Sequence, residues 1–282
     1  MKIGIRTFSL KGFNSDQHGF DFYPLKTIEF GIQQGFRHFE IVCDVNMTLF
    51  GLLSDDIVQQ LLQMKNNFNL TYSVHLPFRS VELGFPYGRV NNAYIDLISE
   101  TIRKTVILQP EAYVLHVTGS LFDKLKKMPP DSASVQQLID IAFGSVKQII
   151  NLTGIDPSLL AVENLRFPFK HLKKNIEEIG LSVCMDVGHI MSEAEKQSGI
   201  TVETFLEEYY DRITEIHLHD GYCRKTGNGY RNEAHLALGE GDLDYHWFIK
   251  ELKRRNYDKV IILETELEDA LISYDKIKGL LE

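Results

Sequence analysis

Cysteine is scarce in this sequence. Its 282 residues include three, Cys43, Cys184 and Cys223, spaced too widely for a CxxC pair or a disulfide framework. That excludes a sulfur-rich structural zinc site and makes a reducing cytoplasm the expected compartment. No apolar run approaches the ~18 residues of a membrane helix. The stretch Met1-Lys-Ile-Gly-Ile-Arg-Thr-Phe-Ser enters a strand-like alternation directly, which leaves no room for a signal peptide. Basic residues are outnumbered, 30 against 39 acidic, for a formal net charge of −9. That weakens the case for a nucleic-acid partner, though a local basic groove stays open. There is no low-complexity tract and no Pro/Gly-rich linker. There is no P-loop, and the turn after the first apolar stretch reads Arg6-Thr-Phe-Ser-Leu-Lys rather than GxGxxG.

What is present is a 44% hydrophobic content, enough for a sizeable core, arranged in a regular rhythm. Strand-like runs at Lys2–Phe8, Phe36–Val42, Leu70–His75, Ala112–Val117, Leu159–Val162, Leu181–Met185, Ile213–Leu218 and Lys259–Leu263 alternate with helical stretches. The helices are expected at Pro24–Gly35, Ser54–Phe68, Asn91–Leu108, Ser132–Leu152, Phe169–Ile179, Thr201–Arg212, Tyr245–Arg255 and Glu268–Leu281. Ser54 reads as an N-cap, and Gly35 and Gly180 as helix stops. Runs such as Val260-Ile-Ile-Leu are apolar throughout, as in strands buried on both faces. Eight strands, each followed by a helix, predict an α/β fold in which residues 1–282 form a single (β/α)8 TIM barrel.

In such a barrel the strand C-termini carry the chemistry. Six consecutive strands finish on His75, His116, Glu163, Asp186, His217 and Glu264. His189 follows Asp186 by three residues, and Glu233 and His235 lie in an expected loop after the seventh strand. A lone strand-end histidine is more often a satisfied core residue, and a lone aspartate before a helix is often its cap. Buried imidazoles and carboxylates cost several kcal/mol without partners. One cluster of divalent ions would satisfy them all, and mixed His/carboxylate ligation suits zinc or manganese. His219, Asp220 and Asn164 fit either as supports of the ligands or as substrate contacts. His18, His38, His171 and His246 are expected on loops or helices, as surface or packing residues.

From the third strand to the eighth the residues resemble the xylose isomerase-like TIM barrels, and within them the endonuclease IV branch (AP endonuclease family 2). The matching pieces are Val74-His-Leu-Pro, Leu115-His-Val-Thr-Gly-Ser, Val162-Glu-Asn, Met185-Asp-Val-Gly-His, Ile216-His-Leu-His-Asp, Glu233-Ala-His-Leu-Ala-Leu-Gly-Glu-Gly and Leu263-Glu-Thr. The resemblance implies one to three metal ions: one on His75, His116 and Glu163; a second sharing Glu163 with Asp186, His217 and Glu264; a third on His189, Glu233 and His235. The family's DNA-repair members have Asp where Glu233 stands, which sets the third position apart.

Two activities follow as expectations. Clustered ions suit hydrolysis of a phosphoester or phosphodiester. A single ion on Glu163, Asp186, His217 and Glu264 suits aldose–ketose isomerisation or epimerisation, with Glu163 and Glu264 as the catalytic proton-transfer groups. The segment Cys43–Asp55 has no Lys or Arg and carries Met47, Leu49, Phe50, Leu52 and Leu53, a packed loop or an apolar lid. Phe78-Arg-Ser-Val-Glu-Leu-Gly-Phe-Pro-Tyr-Gly-Arg offers two arginines and three aromatics to clamp a phosphate or stack on a ring. Lys124, Lys126 and Lys127 form a basic run of the kind usually found on a solvated helix face. The expected partner is a small phosphorylated or nucleotide-like molecule, with abasic DNA next and no membrane.

Overall fold

Local signals set several helix ends where the sequence places them. The Ser54 hydroxyl accepts from Ile57 N at 3.4 Å, and Asp55 and Asp56 occupy the first turn beside the partial positive charge of the helix end. Gly180 closes its helix with a left-handed φ of 81°, a conformation glycine adopts without steric cost. This computed structural model describes residues 1–7, 24–44, 53–125, 128–129, 131–192, 200–227 and 229–281. His18, Met47, Leu49, Phe50, Leu52, Lys126 and Lys127 lie outside the described residues.

Seven strands come in chain order: β1 Lys2–Arg6, β2 His38–Val42, β3 Thr71–His75, β4 Tyr113–Leu115, β5 Leu160–Glu163, β6 Ser182–Asp186 and β7 Ile213–Leu218. Two more, β8 Asp220–Thr226 and β9 Gly229–Leu236, precede β10 Val260–Leu263. All barrel pairs are parallel, and the ring closes in the order β1-β10-β7-β6-β5-β4-β3-β2. The helices used below are α1 Pro24–Gln33, α2 Asp55–Phe68, α3 Gly88–Thr105, α4 Ser120–Leu125, α5 Ala133–Thr153, α6 Lys173–Ile179 and α7 Val187–Ser192. Among the described residues no helix is long and apolar enough to cross a membrane.

Side chains divide by strand parity. On β4, β5 and β6, Tyr113, Leu115, Leu160, Val162, Val183 and Met185 face outward into one large apolar cluster with the helices. Ala112, Val114, Ala161 and Cys184 form a small separate cluster inside the barrel. On β7 the alternation breaks. The register with β6 shifts between Val183, opposite Ile213, and Cys184, opposite Glu215. The extra residue, Thr214, is a bulge, and it turns Glu215 and His217 into the barrel.

Two expectations need correction. The segment carrying Glu233 and His235 is not a loop: β8 and β9 form an antiparallel hairpin. Its side chains are polar on both faces and mostly exposed along β9, so the hydrophobic alternation that marks a half-buried strand is missing. His38 is on neither a loop nor a helix. It opens β2 and is 1% exposed, kept neutral by burial and by nearby Lys2, which lower its pKa to about 3.

Candidate metal centre

The polar side chains expected at strand ends do converge at one mouth of the barrel. His75 is the last residue of β3. Its Nδ1–H donates to the Leu76 carbonyl at 3.0 Å, which leaves Nε2 facing the Glu163 carboxylate at 3.3 Å. His116, one residue past β4, brings its Nε2 to 2.8 Å from the same oxygen, Glu163 Oε2. Ligand atoms of His75, His116 and Glu163 all lie within 4.8 Å of one another. The Phe78 ring packs on both imidazoles, with centroids 4.8 and 4.7 Å away, and walls off that side with an apolar surface.

A second group adjoins the first through Glu163. Glu163, Asp186 and His217 also meet within 4.8 Å. His217 Nδ1 stands 3.4 Å from Glu264 Oε2, 3.9 Å from Glu163 Oε2 and 4.0 Å from Asp186 Oδ2. Ligands about 2.1 Å from a tetrahedral zinc stand roughly 3.4 Å apart, so these separations are close to those of a ligand shell. His217 Nδ1 and Glu264 Oε2 are buried and have no hydrogen-bond partner. Two such atoms side by side fit a cation between them, which would offset the desolvation cost that their 3.4 Å ion pair leaves without a hydrogen bond.

Asn164 sets the second group's spacing. Its amide donates to the Asp186 carbonyl at 2.9 Å, and its side-chain carbonyl accepts from Asp186 N at 2.8 Å. This pairing locks the end of β5 beside the end of β6. Asp186 serves both roles read from the sequence. Its Oδ1 accepts from His189 N and caps α7, while Oδ2 faces His219 Nε2 at 3.1 Å and His189 Nδ1 at 3.5 Å. His189 Nδ1 lies 3.1 Å from the Asn164 carbonyl and 3.5 Å from Glu163 Oε1.

The third set is arranged differently from the one the resemblance implied. Glu233 is exposed on the hairpin, bonded to the Tyr222 hydroxyl, with Arg231 at 3.8 Å. It joins none of the ligand groups found among the described residues. His219 is instead the residue grouped with His235 and Glu264, and it stacks on His235 at a centroid distance of 4.2 Å. The His219 nitrogens are already engaged. Nδ1 accepts from His235 N at 2.8 Å, and Nε2 donates to Asp186. His235 reaches this bond in a left-handed conformation, φ 58°, uncommon for a residue with a Cβ. The hairpin is thereby tied to Asp186. His219 also accounts for the glycine of Asp-Val-Gly-His: a Cβ on Gly188 would lie 2.0 Å from its ring. Asp220 binds the amides of Gly221, Gly239 and Leu243 at 2.7–3.0 Å, so it shapes the Leu-Gly-Glu-Gly turn.

Charge follows the geometry. Burial works against the Glu163 carboxylate, but His116, His75 and His217 hold it well below the usual range. Glu264 is likewise held down against burial by His217, His235 and Arg6. Burial lowers His75, yet its bond to Glu163 and the charges of Glu40 and Glu163 raise it to about 9. His116 is lowered, chiefly by burial.

Over these groups lies a cleft of about 700 Å³, lined by the cations Arg6, Arg79, Lys124 and Arg166, the acids Glu82, Asp123 and Glu266 and the aromatics Phe85 and Tyr94; Arg79 and Arg166 are paired with Asp44 and Asp123. Arg6, on β1, binds Glu264 Oε1 at 3.2 Å. Sequence reasoning missed Arg6, and it missed Glu40 and Glu215 inside the barrel. The spacing Glu215-x-His217-x-His219 was a legible signal, three polar residues at the period of one strand face.

Comparison with known proteins agrees with this architecture. Residues 29–279 match the family model described as xylose isomerase-like TIM barrel. The chain belongs to the xylose isomerase-like TIM barrel family. It is 25% identical over 255 residues to uncharacterized protein MJ1614 of Methanocaldococcus jannaschii, covering 89% of this chain and 90% of that one. Among solved structures, a D-tagatose 3-epimerase-like protein superposes with a TM-score of 0.73 at 22% identity, covering 100% of this chain and 97% of the other. Endonuclease IV from Thermus thermophilus superposes with a TM-score of 0.66 at 17% identity, covering 100% and 99%. These likenesses show the fold, and the fold carries enzymes of both kinds.

Proposed function

We propose that this protein is a divalent-metal-dependent hydrolase of phosphoesters or phosphodiesters, acting on a small phosphorylated or nucleotide-like molecule, with zinc or manganese as the metal. The observation that carries this reading is the pair of adjoining ligand groups sharing one carboxylate. His75, His116 and Glu163 form one, and Glu163, Asp186, His217 and Glu264 form the other. A sugar isomerase needs only the second. Ions bound there supply Lewis acidity, which makes water nucleophilic near neutral pH and offsets charge on phosphoryl oxygens.

The protein's own groups do the rest. Glu163 holds the two groups together. Arg6, Arg79, Lys124 and Arg166 draw the phosphate into the cleft. Phe78 keeps water from the far side of the His75 and His116 rings. His189 and His235 stand on the open side for a third ion or the substrate. Glu233 is left out of the ligand set because Tyr222 takes its carboxylate. Abasic DNA is the next substrate class, and the formal charge of −9 counts against it.

A second reading rests on the completeness of the Glu163, Asp186, His217 and Glu264 set. With one ion there, Glu163 and Glu264 would move a proton to and from carbon in a ketose epimerisation. The deciding experiment pairs metal analysis with two assays. Release of nitrophenol from bis-nitrophenyl phosphate, requiring more than one ion per chain, supports hydrolysis. Full activity on a ketose with one ion per chain, with solvent deuterium entering at carbon, overturns it in favour of the epimerase.

A further inference from the structure

Beneath the ligand groups the barrel interior holds a second polar set. Glu40 and His38 on β2, Ser73 on β3 and Glu215 on β7 are all at most 1% exposed. Two buried carboxylates there are costly without partners, so their bonding directions decide what they do. Thr71 Oγ1 lies 2.7 Å from His38 Nδ1, His38 Nε2 lies 3.2 Å from Ser73 Oγ, and Ser73 Oγ lies 2.9 Å from Glu215 Oε1.

Ser73 Oγ donates to Glu215 Oε1. Ser73 then accepts from His38 Nε2–H, and His38 Nδ1 accepts from Thr71. The chain ends on Glu215 Oε1, which keeps a second lone pair, so distance decides the partner of His217. His217 Nε2 is 3.6 Å from Glu215 Oε1 but 3.0 Å from Glu40 Oε1. Of the two carboxylates, Glu40 is the one that accepts the His217 proton.

We infer that Glu40 is a positioning residue, which holds His217 by its Nε2–H so that the Nδ1 lone pair points at the divalent ion of the centre proposed above. The inference rests on that metal-dependent reading. Its independent support is the asymmetry of one ring: Nε2 is hydrogen-bonded to Glu40, while Nδ1 is buried without a hydrogen bond, 3.4 Å from Glu264 Oε2. A carboxylate behind a ligand imidazole fixes its orientation and raises its basicity.

The test uses the full chain, stripped by chelator and then titrated with zinc. In nitrogen-15-resolved proton spectra of the metal-free protein, a slowly exchanging downfield N–H is expected from His217 Nε2, assigned by its loss in His217→Gln. It should vanish in Glu40→Ala, move upfield in Glu40→Gln and persist in Glu215→Gln. Zinc affinity, read by competition with a chromophoric chelator, should fall about 10- to 100-fold in Glu40→Gln and change little in Glu215→Gln. Glu40→Gln is nearly isosteric, and its melting curve shows whether the fold is kept. A signal that persists in Glu40→Ala, or unchanged zinc affinity in Glu40→Gln, overturns the inference. A wild-type protein that binds no zinc or manganese overturns the proposed function and the ligand role of Nδ1, while the N–H signal still decides whether Glu40 holds the ring.

Discussion

The same eight strands present two chemistries. Their outward faces carry Ile5, Phe39, Ile41, Tyr72, Val74 and their neighbours into one apolar layer beneath the helices. Their inward faces carry His38, Glu40, Ser73, Glu215 and His217, with apolar residues as small as Ala161 between them. The outer layer gains stability from burial at roughly 25 cal/mol per Å². The inner one loses part of that to desolvated carboxylates and keeps its shape through hydrogen bonds and ion pairs such as His116–Glu163 and His217–Glu40. The separation lets the ligand set change without loss of the fold, and one bulge at Thr214 is enough to choose which β7 residues face inward.

The outer face offers the largest effect on stability. Phe39→Ala should cost about 3–5 kcal/mol in chemical denaturation, while the fraction that stays folded keeps wild-type metal stoichiometry. Loss of metal from the folded fraction would show that the two faces are not separable. On the inner face, Glu163→Gln removes the carboxylate shared by both ligand groups. Taking one partner from a buried charge cluster costs roughly 3–5 kcal/mol, so metal affinity should fall by two orders of magnitude or more. Both sites should weaken together; calorimetric titration that finds only one weakened would break the sharing.

The pH dependence of the metal-free protein sharpens the contrast further. His75 has its folded pKa raised from 6.5 to about 9. Its stabilisation is fully present below pH 6.5 and is lost as pH rises through 9. The metal-free protein should therefore melt lower at pH 9.5 than at pH 7. Saturating zinc should reverse that slope, because deprotonated His75 is the form that ligates.

Gly188→Ala tests the joint between hairpin and centre. A Cβ there meets the His219 ring at 2.0 Å, and overpacking of this kind costs about 1–3 kcal/mol. Its signature should be a change in the His219 and His235 resonances with those of His75 unmoved. The smallest effect belongs to Glu233→Gln. An exposed substitution changes stability by less than about 0.5 kcal/mol, and metal content should stay at the wild-type value. A lost ion would instead place Glu233 among the ligands.

Particular residues show where reading the chain was enough and where it was not. Ser54, Gly180 and the apolar run Val260-Ile-Ile-Leu mark their elements through local conformational and solvation preferences, which act within a few residues. Strand ends such as Glu163, Asp186 and Glu264 were legible because barrel topology always gathers them at one mouth. Glu40 was missed because it interrupts an apolar run that reads as ordinary strand. The hairpin was missed because β9 is mostly exposed and neither strand alternates apolar with polar residues.

Local sequence therefore determined the order of elements, the barrel and most of the polar side chains that meet at its mouth, since periodicity and capping depend on near neighbours. Only the tertiary structure decided which carboxylates stand beside which histidines, that Tyr222 holds Glu233, and that His217 Nε2 lies nearer Glu40 than Glu215. Those outcomes depend on ångström differences between atoms far apart in the chain, and such distances exist only once the ring of strands has closed.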